Sequence, residues 1–256
     1  MPTFGRVVET PRGLRAPLVE EAIYSFLRQS HEKSELIVVN DHPDQELVLQ
    51  EEHARVRIYN HPSRFDTLGD KCNYMIGLAE YEYITRWDDD DISLPWRLSN
   101  CAQKIEHHGY PDLLIVGGYW WEEVYGSFFP CEGEYGFQQD VVSTDLAKKI
   151  GYLPMMCGED QKFRQGCKEV AAKRKGGIAC YFPNKEHFHY IYRWGGTGSF
   201  HTSALLPGDM NDPNFQEKVK QFVDSRDFPS GRCILVPRWD RPFVDIHNDL
   251  ILRTRI

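Results

Sequence analysis

Several features are missing from this 256-residue sequence, and each absence narrows its class. No run approaches the ~20 apolar residues of a membrane-spanning helix, and no secretory leader opens the chain, so a soluble protein of the cytoplasm is expected. The seven cysteines are scattered with no Cys-x-x-Cys pair. That excludes a zinc ribbon or disulfide scaffold and fits reduced thiols. Repeats and low-complexity linkers are absent. Positive charge is in deficit, 30 Lys and Arg against 38 Asp and Glu for a net charge of -8. Bulk attraction to nucleic acid or anionic membrane is therefore disfavoured, although a local basic groove remains open. Aromatic residues at 13% and hydrophobic residues at 41% are ample for a core. The length suits one large domain or a domain with an appendage.

Against that background one stretch stands out, Thr85 to Leu98, TRWDDDDISLPWRL. Four adjacent carboxylates repel one another and need full solvation or a compensating cation. In extended backbone Asp88 and Asp90 share a face. Paired carboxylates are hard oxygen donors, suited to Mg2+ or Mn2+ and not to Zn2+. An acidic solvated turn is the plain alternative.

Helical spacing is expected over Pro17–Ser30, Asp66–Glu80, Pro95–His107 and Glu159 to about Lys173, with Asn214–Val223 as a weaker helix. Ser143 caps a further short helix that Gly151 ends. Apolar, β-branched runs at Glu35–Asn40, Val56–Tyr59, Tyr83–Trp87, Leu113–Val116, Ala179–Phe182 and His187–Arg193 read as strands. Alternation of helix and strand argues for an α/β fold with a Rossmann-like, mostly parallel central sheet flanked by helices. In such sheets ligands bind beyond the carboxyl ends of the strands. Asp41 and the aspartate run both fall at such ends.

In order along the chain, these residues resemble the family 2 glycosyltransferases, which have the glycosyltransferase A fold. Pro2-Thr3-Phe4-Gly5-Arg6 is similar to their opening Pro-Thr-Tyr-Asn-Arg, and Ser25 to Ser30 to the following Ser-Leu-Leu-x-Gln. Leu36 to Asp41 resembles the strand whose last Asp contacts the nucleotide base. Asn73 and Ala79 to Ile84 resemble the helix and strand before the Asp-x-Asp motif, and Asp88 to Pro95 the motif itself. Gly158-Glu159-Asp160 resembles the pair that supplies the catalytic base. The matches are collinear over roughly residues 2 to 205. Two departures stand beside them. Gly5 replaces the usual Asn, and only Met1 precedes Pro-Thr, so a clipped first strand or an internal start is expected. A Trp before the aspartates is common in compact phage-encoded members.

The resemblance implies a catalytic domain over 1–205, with a nucleotide-sugar half to about 117, an acceptor half from about 118, and a C-terminal extension over 206–256. It implies metal-dependent, inverting transfer of a hexosyl or pentosyl group from a nucleotide diphosphate sugar to a hydroxyl. Mn2+ or Mg2+ would be held by Asp90 and Asp88, with His201 in its Gly-rich surroundings completing the shell. Asp160 would be the general base, and Glu159 would orient the acceptor or the helix. Thr3, Arg6, Asp41, Asp88 and Asp89 would line the nucleotide. The acceptor stays open: a glycan, a small molecule, or a hydroxymethylated base in phage DNA.

Each assignment has a plain alternative. Asp41 also suits a turn, and Glu159 and Asp160 suit any helix N-terminus. Lone histidines such as His201, His187 and His189 are commonly structural, and Trp120, Trp121 and Trp194 are suited to a core. Arg64 and Lys71 read as surface charges. Lys162, Arg164, Lys168, Lys173, Arg174 and Lys175 form the one basic cluster, read as a solvated face. Two other functions compete. A nucleotidyltransferase would need a phosphate-cradling loop that Gly5-Arg6 to Gly13-Leu14 does not provide. A binding module without turnover would tolerate loss of Asp160.

Overall fold

The computed structural model describes residues 1–3, 18–89, 91–122, 127–131, 139–184, 187–194, 208–225, 230–238 and 248. Strand β1 (Pro2–Thr3), helix α1 (Leu18–Leu27), strands β2 (Leu36–Asn40), β3 (Gln45–Leu49) and β4 (Val56–Asn60), helix α2 (Leu68–Leu78) and strand β5 (Tyr83–Thr85) lead to the aspartate run. After it come β6 (Ile92–Ser93), α3 (Arg97–His107), β7 (Leu113–Val116), β8 (Gly118–Glu122), β9 (Ser127–Cys131), β10 (Val141–Ser143) and α4 (Thr144–Ile150). The chain continues with α5 (Glu159–Ala171), β11 (Ile178–Tyr181), β12 (Tyr190–Trp194), α6 (Pro213–Asp224) and β13 (Gly231–Leu235).

The first sheet, in the order β1-β2-β4, is wholly parallel, with Thr3 opposite Asn40 and Asn40 opposite Asn60. The second, β11-β7-β10-β5, is mixed, because β10 runs antiparallel to both of its neighbours. Every residue of β7 is buried. Its alternation divides Leu113 and Ile115 from Leu114 and Val116, which enter separate clusters. The first pair packs with Phe163 and Cys167 of α5, the second with Cys101 and Ile105 of α3. A strand covered on both faces is an unbroken apolar run, which is why Leu113–Val116 was legible.

Local chemistry sets the element ends. The Ser143 hydroxyl accepts the Leu146 N–H at the start of α4, and Gly151 ends that helix at φ 64°. Thr67 does the same for α2, accepting the Asp70 N–H at 3.1 Å. Helix α1 lays Val19, Ala22, Ile23 and Phe26 over Leu36 and Val38 of β2. Leu47 of β3 and Cys233 and Leu235 of β13 complete that cluster, since β13 pairs in parallel with β3. Cys233 and Leu235 are thus built into the same core cluster as α1 and β2. Among the described residues, no helix is long and apolar enough to cross a membrane.

Candidate active site

Two aspartate-bearing strand ends and one helix N-terminus form the candidate site. At the end of β2, the Asn40 amide donates to the Gln45 carbonyl at 2.7 Å, and its oxygen accepts the His42 N–H at 3.1 Å. These bonds turn the chain sharply at Asp41, which is 2% exposed. Asp41 Oδ1 accepts from Lys71 Nζ at 2.7 Å and from Arg64 Nη1 at 3.0 Å, while Oδ2 accepts the Phe65 N–H at 3.1 Å. Lys71, expected at the surface, is fully buried on α2. Burial pushes its ammonium pKa down and Asp41 pushes it back. Arg64 likewise is no free surface charge. Thr3 lies at the neighbouring register position of β1.

Beyond β5 the chain carries Arg86, for which the sequence offers no local signal. Its Nε binds Asp88 Oδ1 at 2.6 Å and its Nη1 binds Glu159 Oε1 at 2.8 Å. One guanidinium therefore ties the aspartate loop to the first turn of α5. Trp87 anchors the loop by donating its indole N–H to the Ala22 carbonyl at 3.0 Å. Asp91 is buried and accepts the Tyr190 hydroxyl. Beneath lies Arg97, fully buried, which donates to Ser93 Oγ at 2.8 Å, Thr85 Oγ1 at 3.0 Å and the Arg86 carbonyl at 2.9 Å. Its guanidinium also sits 4.9 Å from the Trp87 ring and 4.7 Å from the Tyr190 ring. Asp91 and Arg97 thus shape the loop from below, and Asp88 and Asp89 are the described carboxylates left nearer its surface.

Helix α5 opens at Gly158, whose φ of 78° is costly for any other residue. Glu159 is buried on Arg86. Asp160, half-buried beside it, accepts the Gln161 N–H at 2.7 Å. Burial and the adjacent Glu159 carboxylate raise the Asp160 pKa to about 7, against the opposing pull of Arg86. A carboxylate poised near neutrality is suited to take a proton from a hydroxyl.

Behind Asp160 lies a cavity of about 30 Å³, lined in part by Arg86, Asp140, Tyr152, Phe163 and Arg164. Asp140 accepts from Arg164 Nε at 2.7 Å and from the Val116 N–H at 3.0 Å. Burial raises its pKa to about 6 although Arg164 opposes the shift. Arg164 therefore leaves the solvated basic face assigned to it: it is 8% exposed and paired. Arg174 is also committed, to Asp112 at 2.9 Å and Asp145 at 2.7 Å. His189 is fully buried, and neither ring nitrogen has a partner among the described residues.

The structure thus brings Asp88, Glu159 and Asp160 together through Arg86, and gathers Asp41 with Lys71 and Arg64. Arg6, Asp90 and His201 lie outside the described residues. For a metal, Asp88 and Asp89 supply hard oxygen donors of the right chemistry. Among the described residues no group of three or more His, Cys, Asp or Glu side chains converges on one point.

No curated protein matches the chain. The model of the family described as glycosyl transferase family 2 matches residues 1–139, more than half of its length. The chain belongs to glycosyl transferase family 2. The matched span contains both acidic strand ends but stops short of α5.

Solved structures carry the likeness further along this family 2 chain. S. aureus TarS 1–349 in complex with UDP-GlcNAc aligns at a TM-score of 0.56 and 16% identity, covering 82% of this chain and 64% of that one. The same segment in complex with UDP gives 0.53 at 16% identity, with 82% and 63% covered. A longer S. aureus TarS structure gives 0.53 at 16% identity, covering 83% of this chain and 38% of that one. The chain therefore spans less than two thirds of each of these proteins. Identity this low speaks for the fold, which is the α/β glycosyltransferase A fold.

Lys71, Arg97 and Arg164 carried a signal that could have found them. Lys71 shares a helix face with Leu68, Cys72 and Met75, Arg97 with Cys101 and Ile105, and Arg164 with Cys167 and Ala171. A cation on an apolar helix stripe is buried when the helix packs, and a buried charge needs a partner.

Proposed function

We propose that the chain transfers a sugar from a nucleotide diphosphate sugar to an acceptor hydroxyl by metal-dependent, inverting single displacement. The observation that carries this is Asp160 at the start of α5, with its pKa raised to about 7 and with Arg86 linking its neighbour Glu159 to Asp88. Asp160 takes the acceptor proton as the acceptor oxygen bonds to the anomeric carbon. The bond from that carbon to the diphosphate breaks on the opposite face, so configuration inverts. Glu159, fixed on Arg86, holds the first turn of α5 and so aims the base. Asp41, with Arg64 and Lys71, forms the wall for base and ribose, and Thr3 and Arg6 close on the nucleotide. Asp88 and Asp90, with His201 and supported by Asp89, would hold Mn2+ or Mg2+, which neutralises charge on the departing diphosphate.

The nucleotide-sugar half then runs to about residue 117 and the acceptor half from about 118 to 205, with the extension over 206–256. UDP and UDP-GlcNAc in the TarS crystals make uridine diphosphate sugars the first donors to try. Candidate acceptors are a glycan, a small molecule and a hydroxymethylated DNA base. The test is nucleotide release from a panel of nucleotide sugars, with and without Mn2+, by wild type and Asp90→Asn. Metal-dependent release from one donor, lost in the variant, is expected. Failure to bind any nucleotide sugar would sink the assignment.

A further inference from the structure

The loop 151–158, which delivers Glu159 and Asp160, is gripped from two sides by amide side chains. On the α2 side, Asn73 Nδ2 donates to the Tyr152 carbonyl at 2.9 Å and Asn73 Oδ1 accepts the Tyr152 N–H at 2.7 Å. Gly69 N–H donates to the Met155 carbonyl at 3.1 Å, and a Cβ at Gly69 would stand 1.9 Å from the Leu153 carbonyl oxygen. This contact is too close for any residue but glycine.

The opposite grip comes from α6, far along the chain. Gln216 Oε1 accepts the Met156 N–H at 2.7 Å and the Cys157 N–H at 3.1 Å. Its Nε2 donates to the Cys157 carbonyl at 2.9 Å and to the Met210 carbonyl at 2.5 Å. A single amide thus serves four backbone groups, accepting two bonds and donating two, which no other side chain of that length can do. Met210 covers Gly158, where a Cβ would lie 2.9 Å from the Met210 sulfur. The helix itself is fixed by buried Phe215, Val219 and Val223, so Gln216 projects from a rigid support.

We propose that Gln216 is a positioning residue: from the C-terminal α6 it sets the loop that aims the Glu159–Asp160 pair. The segment after residue 206 is then a working part of the catalytic centre. This rests on the assignment of Asp160 as the base, so the test has one arm that needs no activity. In the full-length chain, amide hydrogen exchange over 155–160 is compared for wild type, Gln216→Ala, Gln216→Glu and the control Glu217→Ala. Glu217 is exposed and, among the described residues, bonds along its own helix to Gln221.

Gln216→Ala is expected to speed exchange at Met156 and Cys157 and to leave distant strands such as β7 protected. Turnover should fall about 10- to 100-fold, as small misplacements of a reacting group do, with the donor KM within about twofold. Gln216→Glu turns an acceptor-only carboxylate oxygen onto the Cys157 and Met210 carbonyls, so it should loosen the loop at least as much as alanine. Unchanged exchange in the loop overturns the proposal. Equal acceleration throughout the chain, with turnover and donor KM degraded together, also overturns it, because Gln216 would then only stabilise the fold. If the wild type proves inactive on every nucleotide sugar, the assignment of function fails, and the exchange arm still decides whether Gln216 holds the loop.

Discussion

The two acidic strand ends are built differently. At β2, Asp41 is closed off by Lys71, Arg64 and a backbone N–H, and both Asp41 and Lys71 are essentially without solvent. At β5, Asp88 is 12% exposed and is paired, among the described residues, with Arg86, which it shares with Glu159. The first end is a fixed wall whose carboxylate is committed to two cations. The second is a junction whose cation reaches both the carboxylate proposed to face the diphosphate and the helix that carries the proposed base. A nucleotide needs a rigid surface to recognise it, whereas charge that changes during transfer needs groups able to respond. The contrast therefore matches the division of labour proposed for the two ends.

Breaking either end should have the largest effect. Lys71→Met leaves Asp41 buried with a reduced set of partners and should cost about 3–5 kcal/mol, as loss of one partner in a buried pair does. Chemical denaturation measures this, and an unchanged midpoint would show that the β2 end is not locked. Arg86→Gln strips the cation from Glu159 and Asp88 together and should cost a similar amount, about 3–5 kcal/mol, and its distinctive effect is on pH dependence. Arg86 opposes protonation of Asp160, so the acid limb of transfer should move to higher pH while donor binding persists. A limb that stays in place would separate Arg86 from the base. The smallest effect should come from Asp224→Ala. That carboxylate lies 4.0 Å from Arg64 and is half exposed, so under about 1 kcal/mol is expected. A larger loss would mean that Arg64 is held from outside and not by Asp41.

Legibility followed the same division. Strands buried on both faces, such as Leu113–Val116, and helices with matched caps, such as Ser143 to Gly151, declare themselves through short-range patterns. The pairing of β3 with β13 does not, because two short strands find each other across most of the chain. The carboxylates of the site were legible as acids at strand ends. Their cations are harder to read: Lys71 and Arg164 sit on apolar helix stripes, where only the packing of the helix distinguishes a buried charge from a surface one. Arg86 interrupts an apolar run just before the aspartates, and its double role needs the approach of α5. Gln216 carries no local signal, since its four backbone partners belong to a distant loop and to a turn before its own helix.

The most direct test of the central claim is the pH profile of sugar transfer by wild type and Asp160→Asn, with donor binding and thermal stability followed in parallel. The wild-type rate should fall as pH drops through about 7, where Asp160 takes up its proton. The variant should lose about 10²- to 10⁴-fold in turnover and still bind donor. Its stability gives a sign check. A carboxyl whose pKa is raised in the folded state contributes stability at low pH that is lost as pH rises through about 7. Removing that carboxyl should therefore leave Tm unchanged or higher above neutrality. A variant that transfers sugar at the wild-type rate, or that keeps the same acid limb, would contradict the assignment of Asp160 as the base.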